Sequence, residues 1–184
     1  MKDLETEHLK IREFRVEDAK DVHENLASEQ QLADCSGYHI HKSIEETKVM
    51  VNSFIKEYEM NELIWGIEEK STNRVIGFIR ATEVSRTSNR CDIKFGIGLK
   101  WVNTGLMEEA LERVLKYLFE EEKIEIIIST FYDSYKKVTD IKEKMLKNVG
   151  MQKEASLRNR RINEKTGAKE NLLVYSILKE EFEK

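Results

Sequence analysis

The sequence predicts a mixed α/β fold, with a central sheet of about seven strands and about four helices packed on it. Three observations carry this. Short alternating or β-branched apolar runs recur through the chain, as in Glu125–Tyr132. Longer segments repeat apolar residues at the helical period, above all Leu106–Phe119. The two kinds interleave as strand, two helices, three strands, helix, strand, helix, two strands.

At 184 residues, one domain spanning 1–184 is the natural expectation, with enough chain for a real core. Hydrophobic residues make up 40% and charged residues 36%, a globular and not a disordered balance. The net charge of −4 gives no electrostatic case for nucleic-acid binding. A mildly acidic surface would tolerate a cationic substrate better than an anionic one. Cys35 and Cys91 have no metal or redox spacing and read as free thiols. His39-x-His41 lacks a third or fourth ligand, so no metal is expected. No apolar run approaches a membrane span, and MKDLETEHLK has no signal-peptide core, so a cytoplasmic protein is expected.

In order, His8–Phe14 alternates as a first strand, with Leu9 and Ile11 on one face. Val16–Ala27 reads as a short helix with Ala19, Val22, His23 and Leu26 inward. Gln30–His41 has no period and reads as a loop. Ser43 and Glu46 form a capping box. It opens a helix to about Met60, with Ile44, Thr47, Val51, Phe54, Ile55 and Tyr58 on one side. Leu63–Glu69 and Arg74–Glu83 form a hairpin across Ser71–Asn73. Ser85–Asn89 turns into the strand Arg90–Gly98, where glycines at 96 and 98 suit a bulge. Val138–Val149 is helical, and Gly150 suits its C′ position. Met151–Ile162 and Asn171–Leu178 form a last hairpin across Asn163–Lys169.

The chain is organised around Cys91–Glu122, a strand running into a helix with glycine at the junction. The turn Val102-Asn103-Thr104-Gly105 exposes up to four helix N–H groups, a setting that suits phosphates. A plain core helix has the same periodicity.

Thr6–Arg12 followed by Asp18-Ala19, Val75-Ile76-Gly77, Gly105–Leu111 and Leu172–Phe182 resemble strings of the GNAT superfamily of acyl-CoA-dependent N-acetyltransferases. Within it they resemble the ribosomal-protein alanine and serine N-terminal acetyltransferases. The likeness covers nearly the whole chain. It implies a mostly antiparallel sheet, acetyl-CoA as co-substrate and an amine acceptor, either a protein N-terminus or a small molecule. The net charge and the lack of a long apolar run argue for no nucleic-acid and no membrane partner, and a homodimer is a further expectation.

The likeness also assigns roles. The coenzyme segment comprises Ile97, Gly98, Leu99, Val102, Asn103, Thr104, Gly105, Leu106 and Met107. Val102 stands where the family has Arg, Gln or Trp, and Asn103 where the branch often has glycine. Asparagine enters the left-handed region more readily than other side chains, so φ > 0 is expected at Asn103. Asp92 stands at the branch's glutamate, a base for the attacking amine through water; an ordinary surface ion pair is the alternative. Tyr135 and Thr139, with Ser134, are candidate proton donors to the leaving thiolate. Thr139 and Lys142 occupy the second coenzyme motif, where the family has Asn and then Ser or Ala. Lys136-Lys137 could reach the 3′-phosphate. These departures motivate a second reading, a GNAT-like binding or regulatory module without transfer chemistry.

Overall fold

The computed structural model describes residues 2–29, 39–59, 63–164 and 166–182. Its sheet has eight strands in the order β1-β2-β3-β4-β5-β6-β8-β7. They are β1 (Leu4–Glu5), β2 (Leu9–Arg12), β3 (Leu63–Glu69), β4 (Arg74–Ser85), β5 (Arg90–Ile97), β6 (Ile126–Tyr132), β7 (Gln152–Ile162) and β8 (Lys169–Leu178). The helices are α1 (Ala19–Val22), α2 (Ile44–Glu59), α3 (Leu106–Glu120), α4 (Lys136–Asn148) and α5 (Lys179–Phe182).

The count exceeds the expectation at both ends. Strand β1 pairs Leu4 with Ile11, but two residues are too few for alternation to reveal. Helix α5 takes over from β8 at Lys179, inside the string read as the closing strand. The segment read as one helix from Val16 is instead a 3₁₀ turn at Val16–Asp18, then α1, then a π turn at His23–Ala27. Cys35, Met60 and most of the Gln30–His41 segment lie outside the described residues.

Each face of the sheet carries its own core. Met107, Ala110, Leu111, Val114, Leu115 and Leu118 of α3 pack with Trp65, Ile93 and Ile127. On the other face Ala19, Val22, Leu26 and Val51 pack with Phe14, Ile64 and Val75. The α2 cap is offset from a reciprocal box. Ser43 Oγ accepts the Glu46 N–H at 3.3 Å, but the Glu46 carboxylate takes the Lys42 N–H at 2.9 Å. Gly150 closes α4 at φ +87.

Strands β5 and β6 are the one parallel pair among the described strands, and they pair only at Arg90–Asp92 with Ile126–Ile128. Beyond that point both continue apart. β5 pairs with β4 as far as Ile97. There is no bulge at Gly96 or Gly98; the β4 register is unbroken from Gly77↔Ile97 to Thr82↔Asp92. These glycines yield space instead. A Cβ on Gly96 would lie 2.8 Å from the Phe78 ring, and one on Gly98 2.8 Å from the Asn25 carbonyl and 2.9 Å from Trp101.

Candidate active site

At the start of α3, Asn103 takes φ +64 and Gly105 φ +86. A Cβ at Gly105 would meet nothing within 4 Å, so the backbone conformation, not crowding, selects glycine there. Thr104 Oγ1 donates to the Trp101 carbonyl at 2.7 Å. The first N–H bonded back into the helix entrance is that of Glu109, to Gly105 at 3.0 Å. The N–H groups of Asn103, Gly105, Met107 and Glu108 have no partner among the described residues. A helix entrance with free donors and open space in front fits the chemistry of a phosphate. Two first-turn acids would oppose an anion, but both are engaged elsewhere. Glu109 accepts the His8 N–H at 3.0 Å and meets His8 Nδ1 at 2.9 Å. Glu108 accepts from Asn148 at 3.2 Å.

The opening between β5 and β6 is bridged by side chains. Ser129 Oγ donates to the Ile93 carbonyl at 3.2 Å. That carbonyl faces β6, so by strand alternation Phe95 and Ile97 turn their backbone groups to the same gap. The Lys94 ammonium donates to the carbonyl and the hydroxyl of Thr130 at 2.9 and 2.6 Å. A cavity of about 540 Å³ runs from this gap to α2, where Met50 and Phe54 close it. Arg80, Lys94, Lys142 and Arg161 line it, and no described lining residue is acidic.

Asp92 is 9% exposed and opposes Thr82 across the β4 ladder. Being two residues from Lys94, it shares that residue's face of the strand. Burial raises its carboxyl above the ordinary range, with Lys94 pulling the other way. It is no surface ion-pair residue. Nor is it among the residues lining the cavity. Tyr135 precedes α4, and its carbonyl accepts the Thr139 N–H at 2.8 Å. Ser134 accepts from Arg161 at 2.9 Å, which ties it to the Arg161–Glu170 pair. Tyr135, Thr139 and Ser134 also lie outside the described lining. Lys136 pairs with Asp140 at 3.2 Å, and His41 Nδ1 meets Thr47 Oγ1 at 3.0 Å. The sequence reading missed Arg80 and Lys94. Arg80 interrupts the apolar run 75–81, whereas Lys94 alternates with Asp92 along β5 and carries no such signal.

Residues 8–145 match the acetyltransferase (GNAT) domain. The chain belongs to the GNAT family. It is an N-acetyltransferase by that membership. An uncharacterized N-acetyltransferase of Bacillus subtilis is 26% identical over 177 residues, 96% of either chain. The ribosomal protein uS5 alanine N-acetyltransferase of Escherichia coli is 28% identical over 106 residues, 57% of this chain and 52% of that one. In three dimensions, the spermidine N-acetyltransferase of Vibrio cholerae, solved with CoA and spermine, superposes with a TM-score of 0.76 at 16% identity. That match covers 97% of this GNAT chain and all of the neighbour. No helix among the described residues is long and apolar enough to cross a membrane.

Proposed function

We propose that this acetyltransferase moves the acetyl group of acetyl-CoA to a primary amine, on a protein N-terminus or a small molecule. The observation that carries the reading is the three-residue β5–β6 pairing, which opens a gap beside a helix entrance with free donors. In this reading the N–H groups between Val102 and Met107 hold the pyrophosphate. Ile97, Gly98 and Leu99 align the pantetheine arm, and backbone N–H groups there polarise the thioester carbonyl. The amine nitrogen attacks the carbonyl carbon and the C–S bond breaks. The amine proton passes through water to Asp92, and Tyr135 or Thr139 protonates the departing thiolate. Relatives named for ribosomal protein uS5 alanine and for spermidine support an amine acceptor.

Calorimetric titration with CoA tests the first half. Saturable binding is expected, and Gly105→Glu should weaken it by both bulk and charge. No binding at millimolar CoA would end the reading. CoA binding without thiol release from acetyl-CoA, across amines of every charge class, would favour the non-catalytic module.

A further inference from the structure

We infer that the acceptor carries an acidic group close to its reactive amine, and that Arg80 and Lys94 are the residues that select it. The inference rests on the acetyl-transfer reading and narrows its substrate class.

The argument begins with strand register. Arg80 and Lys94 are directly opposed across β4 and β5. Like charges at such a position repel, so the pair costs stability unless an anion comes between them. The fold offsets part of this cost, with Glu57 beside Arg80 and Asp92 on Lys94's face of β5. Arg80 meets Glu57 of α2 at 3.0 Å, yet its Nε is buried without a hydrogen-bond partner. Lys94 is held by the two oxygens of Thr130, and neither is a carboxylate. An ammonium has three donors, so one is left to point elsewhere.

Two more cations reach the same cavity from other elements. Arg161 of β7 stacks on the Tyr132 ring at 4.0 Å and pairs with Glu170. Lys142 of α4 stands 5.5 Å from the Phe95 ring centre. Thus four separate elements turn a cation toward one space of about 540 Å³. Its described lining has no Asp or Glu to greet a polyamine. The pyrophosphate does not account for Arg80 and Lys94, because no residue of the Val102–Met107 loop lines the cavity. The cavity meets the β5–β6 gap at Phe95 and Ser129, which in this reading is where the acceptor enters.

An amine beside a carboxylate fits this arrangement. A carboxylate between the Arg80 fork and the Lys94 ammonium would relieve their repulsion and orient the amine toward the gap. A polycation would meet repulsion first from Lys94, whose hydrogen bonds go to the neutral oxygens of Thr130.

The test uses three matched acceptors with the intact protein and acetyl-CoA: Ala-Glu-amide, Ala-Gln-amide and Ala-Lys-amide. Free glutamate and spermidine form two further arms. Thiol release gives kcat/KM for each. We expect the glutamyl peptide to exceed the glutaminyl one by about tenfold, and the lysyl peptide to be poorer again. Free glutamate turned over better than the peptide would assign the acid to a small amino acid; the reverse would assign it to an acidic N-terminus. The preference should shrink as salt rises from about 0.05 to about 0.5 M. In Arg80→Gln and Lys94→Met the Glu/Gln ratio should fall toward one, whereas a merely structural loss would lower all three peptides together. Equal rates, or a preference for the lysyl peptide or spermidine, would overturn the inference and leave acetyl transfer standing. If nothing turns over, binding of the N-acetylated products in the presence of CoA decides. Selective binding of the acidic product would keep Arg80 and Lys94 as an acid-selecting site while ending the transfer reading, and unselective or absent binding would sink both.

Discussion

Asp92 shows how position sets the task of one side chain. Burial disfavours its charge, so its carboxyl lies above the ordinary 3.8, while Lys94 favours the charged form. The native state therefore holds the proton more tightly than the unfolded chain, and Asp92 subtracts stability as pH rises from 3.8 through the folded pKa. If Asp92 is the base, turnover must rise through that same folded value. The acid limb of kcat/KM should sit above the usual carboxylate range, and Lys94→Met should move it to higher pH. Asp92→Asn should remove the limb and lower turnover by roughly a hundredfold. An unchanged pH–rate profile in Asp92→Asn would exclude the role. Asn103 shows what a residue type reveals by itself, since φ +64 follows from asparagine's tolerance of the left-handed region. Lys94 shows the opposite. Nothing in its neighbours along the chain announces Thr130, thirty-six positions away.

The β5 strand and its glycines illustrate the same divide among elements. Bounds at β3, β5 and α3 were readable because period and length are local properties. The purpose of Gly96 was not, because glycine in a strand serves a bulge or a close neighbour equally well. Here the neighbour is Phe78, the cross-strand partner of Gly96, which fills the space a side chain would need. Gly96→Val should overpack this site and cost about 1–3 kcal/mol. In a domain of this size that lowers Tm by roughly 2–12 °C. Phe78→Leu in the same chain should recover part of the loss, read as a coupling in a double-mutant cycle. Strict additivity of the two changes would show that Phe78 is not what excludes a side chain at 96.

For the molecule as a whole, order and layering were legible, and the charge of its cavity was not. A net charge of −4 favoured cationic substrates, yet the cavity gathers cations from β4, β5, β7 and α4. Average charge carries no information about where strands from distant segments meet. One more buried cation holds the N-terminal segment to the sheet. Arg12 is 5% exposed and grips Asp18 through two bonds of 2.8 Å. Its Nε donates to Glu68 at 2.7 Å, so β2, the Val16–Asp18 turn and β3 are joined at one guanidinium. These carboxylates hold the Arg12 proton more firmly than water would. Arg12→Met should leave two buried carboxylates, of which, among the described residues, Glu68 alone keeps a cation, Lys10 at 3.5 Å. The expected loss is about 3–5 kcal/mol, or roughly 6–20 °C in Tm. Adding Asp18→Asn and Glu68→Gln to Arg12→Met should recover part of the loss at neutral pH, because neutral amides carry a smaller burial cost than unpaired carboxylates. A loss untouched by the amide replacements would mean that Arg12 holds the segment by packing of its stem, and not by charge.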